Sequence, residues 1–156
     1  MTEPKWLVLT WRLPSATSSP RVATWRSLQR LGAVSLTPGA AIVPYSEHLL
    51  EQLEWLAEDI VQRGGDAYVL PVTELPEADE EEIERRMRAE RGEEYRQLRE
   101  AAEDLARRAR IRPDYERRLA VLERGLARAV ERDHFKSARR APAERAIRLA
   151  RKREER

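Results

Sequence analysis

Along residues 5–72 the apolar spacing switches repeatedly between strand-like and helix-like, and the order of those switches restricts the fold more than any other feature. Lys5–Leu13 (KWLVLTWRL) is rich in β-branched and aromatic residues, and Pro14 stops it. Its nearly continuous apolar run predicts a central strand. Ser15–Pro20 is a loop of small residues with a proline just ahead of a helix start. Arg21–Leu31 then places Val22, Trp25, Leu28 and Leu31 on one helical face, and Gly32 supplies a stop. Ala33–Leu36 and Ala40–Pro44 read as two short strands around Thr37-Pro38-Gly39, which has hairpin chemistry. Ser46 is placed to N-cap a helix from Glu47 to Arg63, with the stripe Leu49, Leu53, Leu56 and Ile60 and a Gly64-Gly65 ending. Asp66–Val72 (DAYVLPV) is the fourth strand.

The resulting βαββαβ order predicts an α+β, ferredoxin-like fold, a four-stranded antiparallel sheet with both helices on one face. The other face needs a cover, and the second half of the chain is the natural one. From Glu80 to about Arg110, Tyr95, Leu98, Ala102, Leu105 and Ala109 recur at helical spacing, until Pro113 breaks the pattern. From Asp114 to about Glu131 the stripe is Tyr115, Leu119, Leu122, Leu126 and Ala129. Two heptad-like stripes joined by a proline turn predict an antiparallel helical hairpin, packed on the sheet, on a second chain, or on both. A last helix, Ala143–Arg153, follows Pro142, is mostly basic, carries few apolar residues and is expected to fray or stay disordered. The expected division is therefore an α/β domain over 1–76, a helical hairpin over 77–139 and a basic terminal helix over 140–156.

Charge separates along the chain although the net charge is only +2. Residues 1–35 hold five bases and one acid, residues 36–84 one base and thirteen acids, and residues 132–156 ten bases and four acids. Such blocks imply an oriented molecule with basic ends and an acidic middle. The absence of cysteine excludes a disulfide framework, a thiolate metal site and a cysteine nucleophile. The apolar run near the N-terminus is too short for a signal peptide, and no stretch approaches a membrane span. The expectation is a cytoplasmic protein with no membrane partner.

Candidate chemistry is sparse. His48 and His134 are far apart and lack the spacing of a metal pair, and no local pattern offers a serine or threonine nucleophile its base. The acidic run Glu77–Glu84 (EADEEEIE) reads as a solvated helix N-terminus, where carboxylates favour the macrodipole. No metal, cofactor or catalytic residue is expected, and the chain is read as a non-enzyme. The basic segment Arg139–Arg156 fits either phosphate attraction or a plain solvated helix, and both readings stay open. In the first crossover, Trp25 falls on the apolar face, while Arg12, Arg21, Arg26 and Arg30 border it as an anion-facing rim. The planar guanidinium suits phosphates and oxyanions. The candidate DNA-contacting residues are accordingly Arg12, Arg21, Arg26, Arg30, Arg139 and Arg140.

Taken together, "WLVLTWRLP…PRVATWRSLQRLGAV", "AAIVPYSEHLLEQLEWLAEDIVQRGGDAYVL" and "RDHFKSARRAPAERA" resemble the N-terminal domain of the ChrB-type chromate resistance regulators. The most telling part is R-x-A-x-W-R-x-L-x-x-L-G-A at Arg21–Ala33. The resemblance implies a cytoplasmic protein in transcriptional control of a chromate-efflux operon, its N-terminal part binding DNA and a following C-terminal domain tied to chromate sensing. This chain stops where that C-terminal domain would begin, so a separate sensing partner is expected, or a larger parent protein. The sheet portion also resembles the dimeric ferredoxin-like domain of phenylacetate-degradation repressors and of small CRISPR spacer-acquisition nucleases. In those nucleases a metal-binding aspartate ends the first strand, where this chain has Trp11-Arg12-Leu13 and an arginine would repel a cation. Three functions follow, in descending order: a dimeric DNA-binding regulator, a non-enzymatic scaffold that docks a separate sensor, and a metal-dependent nuclease.

Overall fold

Trp6–Arg12 forms strand β1 at the centre of the sheet, buried on both faces over Trp6–Leu9, which is why its apolar run is unbroken. The computed structural model describes residues 3–14, 19–108 and 114–154. After β1 come α1 (Ser19–Arg30), β2 (Val34–Thr37), β3 (Ala40–Pro44), α2 (Glu47–Gln62), β4 (Asp66–Val72), α3 (Glu77–Arg107), α4 (Tyr115–Glu131) and α5 (Arg140–Glu154). They make an α+β chain that divides into two compact units, residues 1–84 and 85–156.

In the first unit the four strands are antiparallel in the order β2-β3-β1-β4. Leu7 and Leu9 of β1 share one face with Ala41 and Val43 of β3, and that face is covered by Leu28 of α1 and Leu49, Leu53, Leu56 and Ile60 of α2. The expected α2 stripe is thus the buried one, and the Ser46 hydroxyl accepts a hydrogen bond from the Leu49 amide at 3.0 Å, capping the helix. Gly64 takes φ +88°, the left-handed backbone that reverses the chain into β4. Alternate β1 and β3 residues, Trp6, Val8 and Ile42, are buried on the opposite face with Val34 of β2.

Two local expectations change. Helix α1 begins at Ser19, so Pro20 lies in its first turn, where its missing N–H costs nothing. Its buried face runs through Thr24 and Leu28, while Val22 stays 45% exposed. Trp25, Leu28 and Leu31 pack in or against the core as expected, but choosing the stripe by apolar identity alone included Val22 and passed over the small, β-branched Thr24. Residues 15–18 of the expected loop lie outside the described residues.

In the second unit, α3, α4 and α5 share a core of Ala102, Leu105, Tyr115, Leu119, Ala146, Ile147 and Ala150, with Tyr95, Ala129 and Ala143 forming a neighbouring cluster. The α3 and α4 stripes pack as their spacing predicts, although Ala109 and Pro113 lie outside the described residues. Helix α3 starts at Glu77, three residues earlier than expected, with Glu77, Asp79 and Glu80 in its first turn. The terminal helix departs most from expectation. It is an ordered member of the core, because Ala143, Ala146, Ile147 and Ala150 form a stripe whose small side chains admit a close neighbour. Its last two expected residues, 155 and 156, are not described. Among the described residues, no helix is long and apolar enough to cross a membrane.

Candidate functional site

The end of β1, the first turns of α1, strand β2 and the β2–β3 turn enclose an open cleft of about 490 Å3 in the first unit. Trp11, Arg12, Leu13, Arg21, Trp25 and Ser35 line it, and Pro38 and Gly39 form one wall. Gly39 is required there, since a Cβ would lie 2.7 Å from the Trp11 carbonyl oxygen, and its own carbonyl accepts the Trp11 amide at 2.8 Å. The cleft brings together two of the six expected arginines. Arg21 and Trp25, one helical turn apart, face it side by side from α1.

Arg12 and Arg21 differ in their charge balance. Arg12 stands opposite Asp66 in the β1–β4 register, and its Nη2 donates to Asp66 Oδ2 at 2.6 Å. Both side chains are mostly exposed, so this is a weak surface pair that a stronger anion can displace. Arg21 has no acidic partner among the described residues. Arg26 and Arg30 lie on a separate exposed α1 stripe with Val22 and do not line the cleft. Arg139 and Arg140 belong to the second unit, where Arg140 Nε bonds Glu144 at 2.7 Å. Trp25, expected in the core, packs against it while also lining the cleft.

The second unit contains a polar cluster that sequence reasoning missed. The fully buried Tyr95 donates its hydroxyl to Asp133 Oδ2 at 3.0 Å, and Asp133 also accepts the Ser137 amide at 3.0 and 3.1 Å. Burial, reinforced by the Asp133 carboxylate, holds the Tyr95 phenol well above its ordinary pKa. Beside it Glu94 receives Arg132, and its other oxygen lies 3.2 Å from Arg91 Nε. Burial and then the neighbouring Arg132 charge lower the Arg91 pKa. Arg88 lies over the Phe135 ring at 5.5 Å. The segment Arg132-Asp133-His134-Phe135 therefore closes the α4–α5 connection. The available signal was Tyr95 itself, because a tyrosine on a buried stripe needs a partner for its hydroxyl.

His48 is exposed in the first turn of α2, and His134 lies in the α4–α5 connection. Among the described residues, no three histidine, aspartate or glutamate side chains gather as a potential metal group. The cleft places two guanidinium groups beside two tryptophan side chains.

No solved structure matches the chain. The Protein ChrB of Cupriavidus metallidurans is 34% identical over 93 residues, which cover 60% of this chain and 28% of that protein. The family described as "Protein ChrB, N-terminal" matches residues 21–155, from the cleft arginine through α5. The chain belongs to the ChrB N-terminal family.

Proposed function

We propose that this chain is a cytoplasmic, dimeric DNA-binding regulator of a chromate-resistance operon, carrying out no catalytic step of its own. The reading joins the family membership to one observation: Arg12 and Arg21 converge on a cleft that also presents Trp11 and Trp25. Arg26 and Arg30, free of acidic partners among the described residues, extend the cationic surface along α1. Duplex phosphates would be held by these guanidinium groups, which supplies affinity and a salt dependence but no base recognition. The βαββαβ element order and the strand order β2-β3-β1-β4 support a ferredoxin-like arrangement for this unit. The stretch shared with the Cupriavidus relative covers 28% of that protein, and chromate sensing is not assigned to these residues.

Fluorescence anisotropy against duplex from the chain's own upstream region and a scrambled duplex, across a salt series, tests the proposal. Sequence-dependent binding with a steep salt slope supports it. Arg21→Ala, Arg26→Ala and Arg30→Ala should each weaken binding to both duplexes and flatten the slope by about one phosphate. Equal, weak binding to both duplexes overturns it and favours the scaffold reading, which the pairing of Arg12 with Asp66 and of Arg140 with Glu144 supports. A separate sensor-domain protein would then be the partner to seek.

A further inference from the structure

We propose that two copies of the chain associate by seating Trp55 of one copy in the groove between α3 and α5 of the other. The inference gives the proposed dimer its surface and rests on that part of the functional reading alone.

Helix α2 buries Leu49, Leu53, Leu56 and Ile60 against the sheet, yet its opposite face carries Trp55, which is 66% exposed. An indole left in water forgoes the large burial that makes tryptophan valuable. Around it stand Glu51, Glu54 and Glu58, at helical offsets of four, one and three residues, and none has a basic partner among the described residues. Glu51 with Glu54, and Glu54 with Glu58, are like-charged helical neighbours, an arrangement that weakens a helix. Helix α3 behaves otherwise, since Arg96 holds Glu93 and Glu100, and Arg99 holds Glu103.

The second unit presents the complementary shape. A groove of about 510 Å3 runs between α3 and α5, with Ala106, Ala146 and Leu149 as its apolar lining and Arg99, Arg107 and Arg145 at its rim. Its one carboxylate, Glu103, is already held by Arg99 at 2.9 Å. Leu149 is 65% exposed and is flanked on α5 by Arg145, Arg148 and Lys152, which have no acidic partner among the described residues. An exposed apolar group among unpaired acids thus matches an open apolar groove whose α5 side carries the unpaired bases, Arg145, Arg148 and Lys152, while Arg99 and Arg107 on its α3 side are held by Glu103 and Asp104. Both stand open among the described residues. A second copy supplies each with what it lacks, and a two-fold arrangement uses both pairs in a closed dimer. Guanidinium groups at the rim would also meet the indole face.

Sedimentation velocity on the full chain without DNA, at low and high salt, tests this surface. The wild type should be a dimer that dissociates as salt rises. Trp55→Ala, at an exposed position, should keep its thermal midpoint and weaken dimerisation by about tenfold or more. Glu54→Arg and Arg145→Glu should each weaken the dimer, and the two together in one chain should restore it. A monomeric wild type, or a dimer indifferent to Trp55→Ala and to both charge reversals, overturns the proposal. The anisotropy titration is read separately. Lost DNA binding with an intact, Trp55-dependent dimer overturns the regulator reading and leaves this surface standing, and the reverse pattern does the opposite.

Discussion

The two units of this chain solve the same packing problem with different materials. The first builds its core from long aliphatic side chains, Leu7, Leu9, Leu28, Leu53 and Ile60 among them, and on α2 pairs Asp59 with Arg63 but leaves Glu51, Glu54 and Glu58 without a basic partner among the described residues. The second buries five alanines, at 102, 129, 143, 146 and 150. It orders its helices with directed bonds: the Tyr115 hydroxyl to the Ala150 carbonyl at 2.7 Å, Tyr95 to Asp133, and Arg151 to Glu116 at 2.7 Å and to Glu123. An alanine brings little transfer free energy, since each buried CH2 contributes only about 0.8 kcal/mol. Specificity in the second unit must therefore come from groups that need a particular partner. Apolar volume should dominate the stability of the first unit and polar pairing the order of the second.

The largest expected effect is in the sheet unit. Leu53 is almost completely buried between α2 and the sheet, and Leu53→Ala should cost about 2–5 kcal/mol through lost burial and the cavity left behind. Urea denaturation followed by circular dichroism measures it. A cost well under 1 kcal/mol would mean that this core collapses around the gap and that volume is not what holds the unit.

In the helical unit the informative variant is Asp133→Ala. It strips the Tyr95 hydroxyl and the Ser137 amide of their acceptor, and each group left unsatisfied should cost about 1–3 kcal/mol. Tyr95→Phe keeps the ring and leaves Asp133 bonded to Ser137, so a smaller loss of about 1 kcal/mol is expected. If Asp133→Ala unfolds at the wild-type midpoint, the contrast between the units fails.

That contrast also explains what could be read from the sequence. The α2 stripe, the Ser46 cap and the limits of β4 rest on local periodicity and turn chemistry, and the structure places them as expected. Thr24 and α5 were misjudged because hydropathy undervalues small side chains, which pack wherever two helices come close. The cleft was half legible. Arg12 and Arg21 flank one short connection, so their proximity follows from chain order. The Pro38-Gly39 wall and the Asp66 partner come from the β1–β3 and β1–β4 registers, which no local pattern encodes. The Tyr95–Asp133 bond joins α3 to the connection between α4 and α5 and is equally non-local.

The smallest effect separates the two treatments of surface charge. Arg96, bonding Glu93 directly, holds that carboxyl at about 2, below its ordinary 4.5. A depressed carboxylate adds stability that is present above about pH 4.5 and is lost as the pH falls through about 2, because the unfolded chain takes up a proton first. Both side chains are exposed, so the contribution is screened by solvent and salt. Glu93→Gln should therefore lower the thermal midpoint slightly at neutral pH and make its fall between about pH 4.5 and 2 shallower, an effect erased by high salt. On α2 the sign reverses at neutral pH: Glu54→Gln should raise the midpoint slightly, because it removes repulsion from Glu51 and Glu58. Opposite signs for two substitutions of the same kind would establish that the Glu93 carboxylate of α3 is paired and the Glu54 carboxylate of α2 is not.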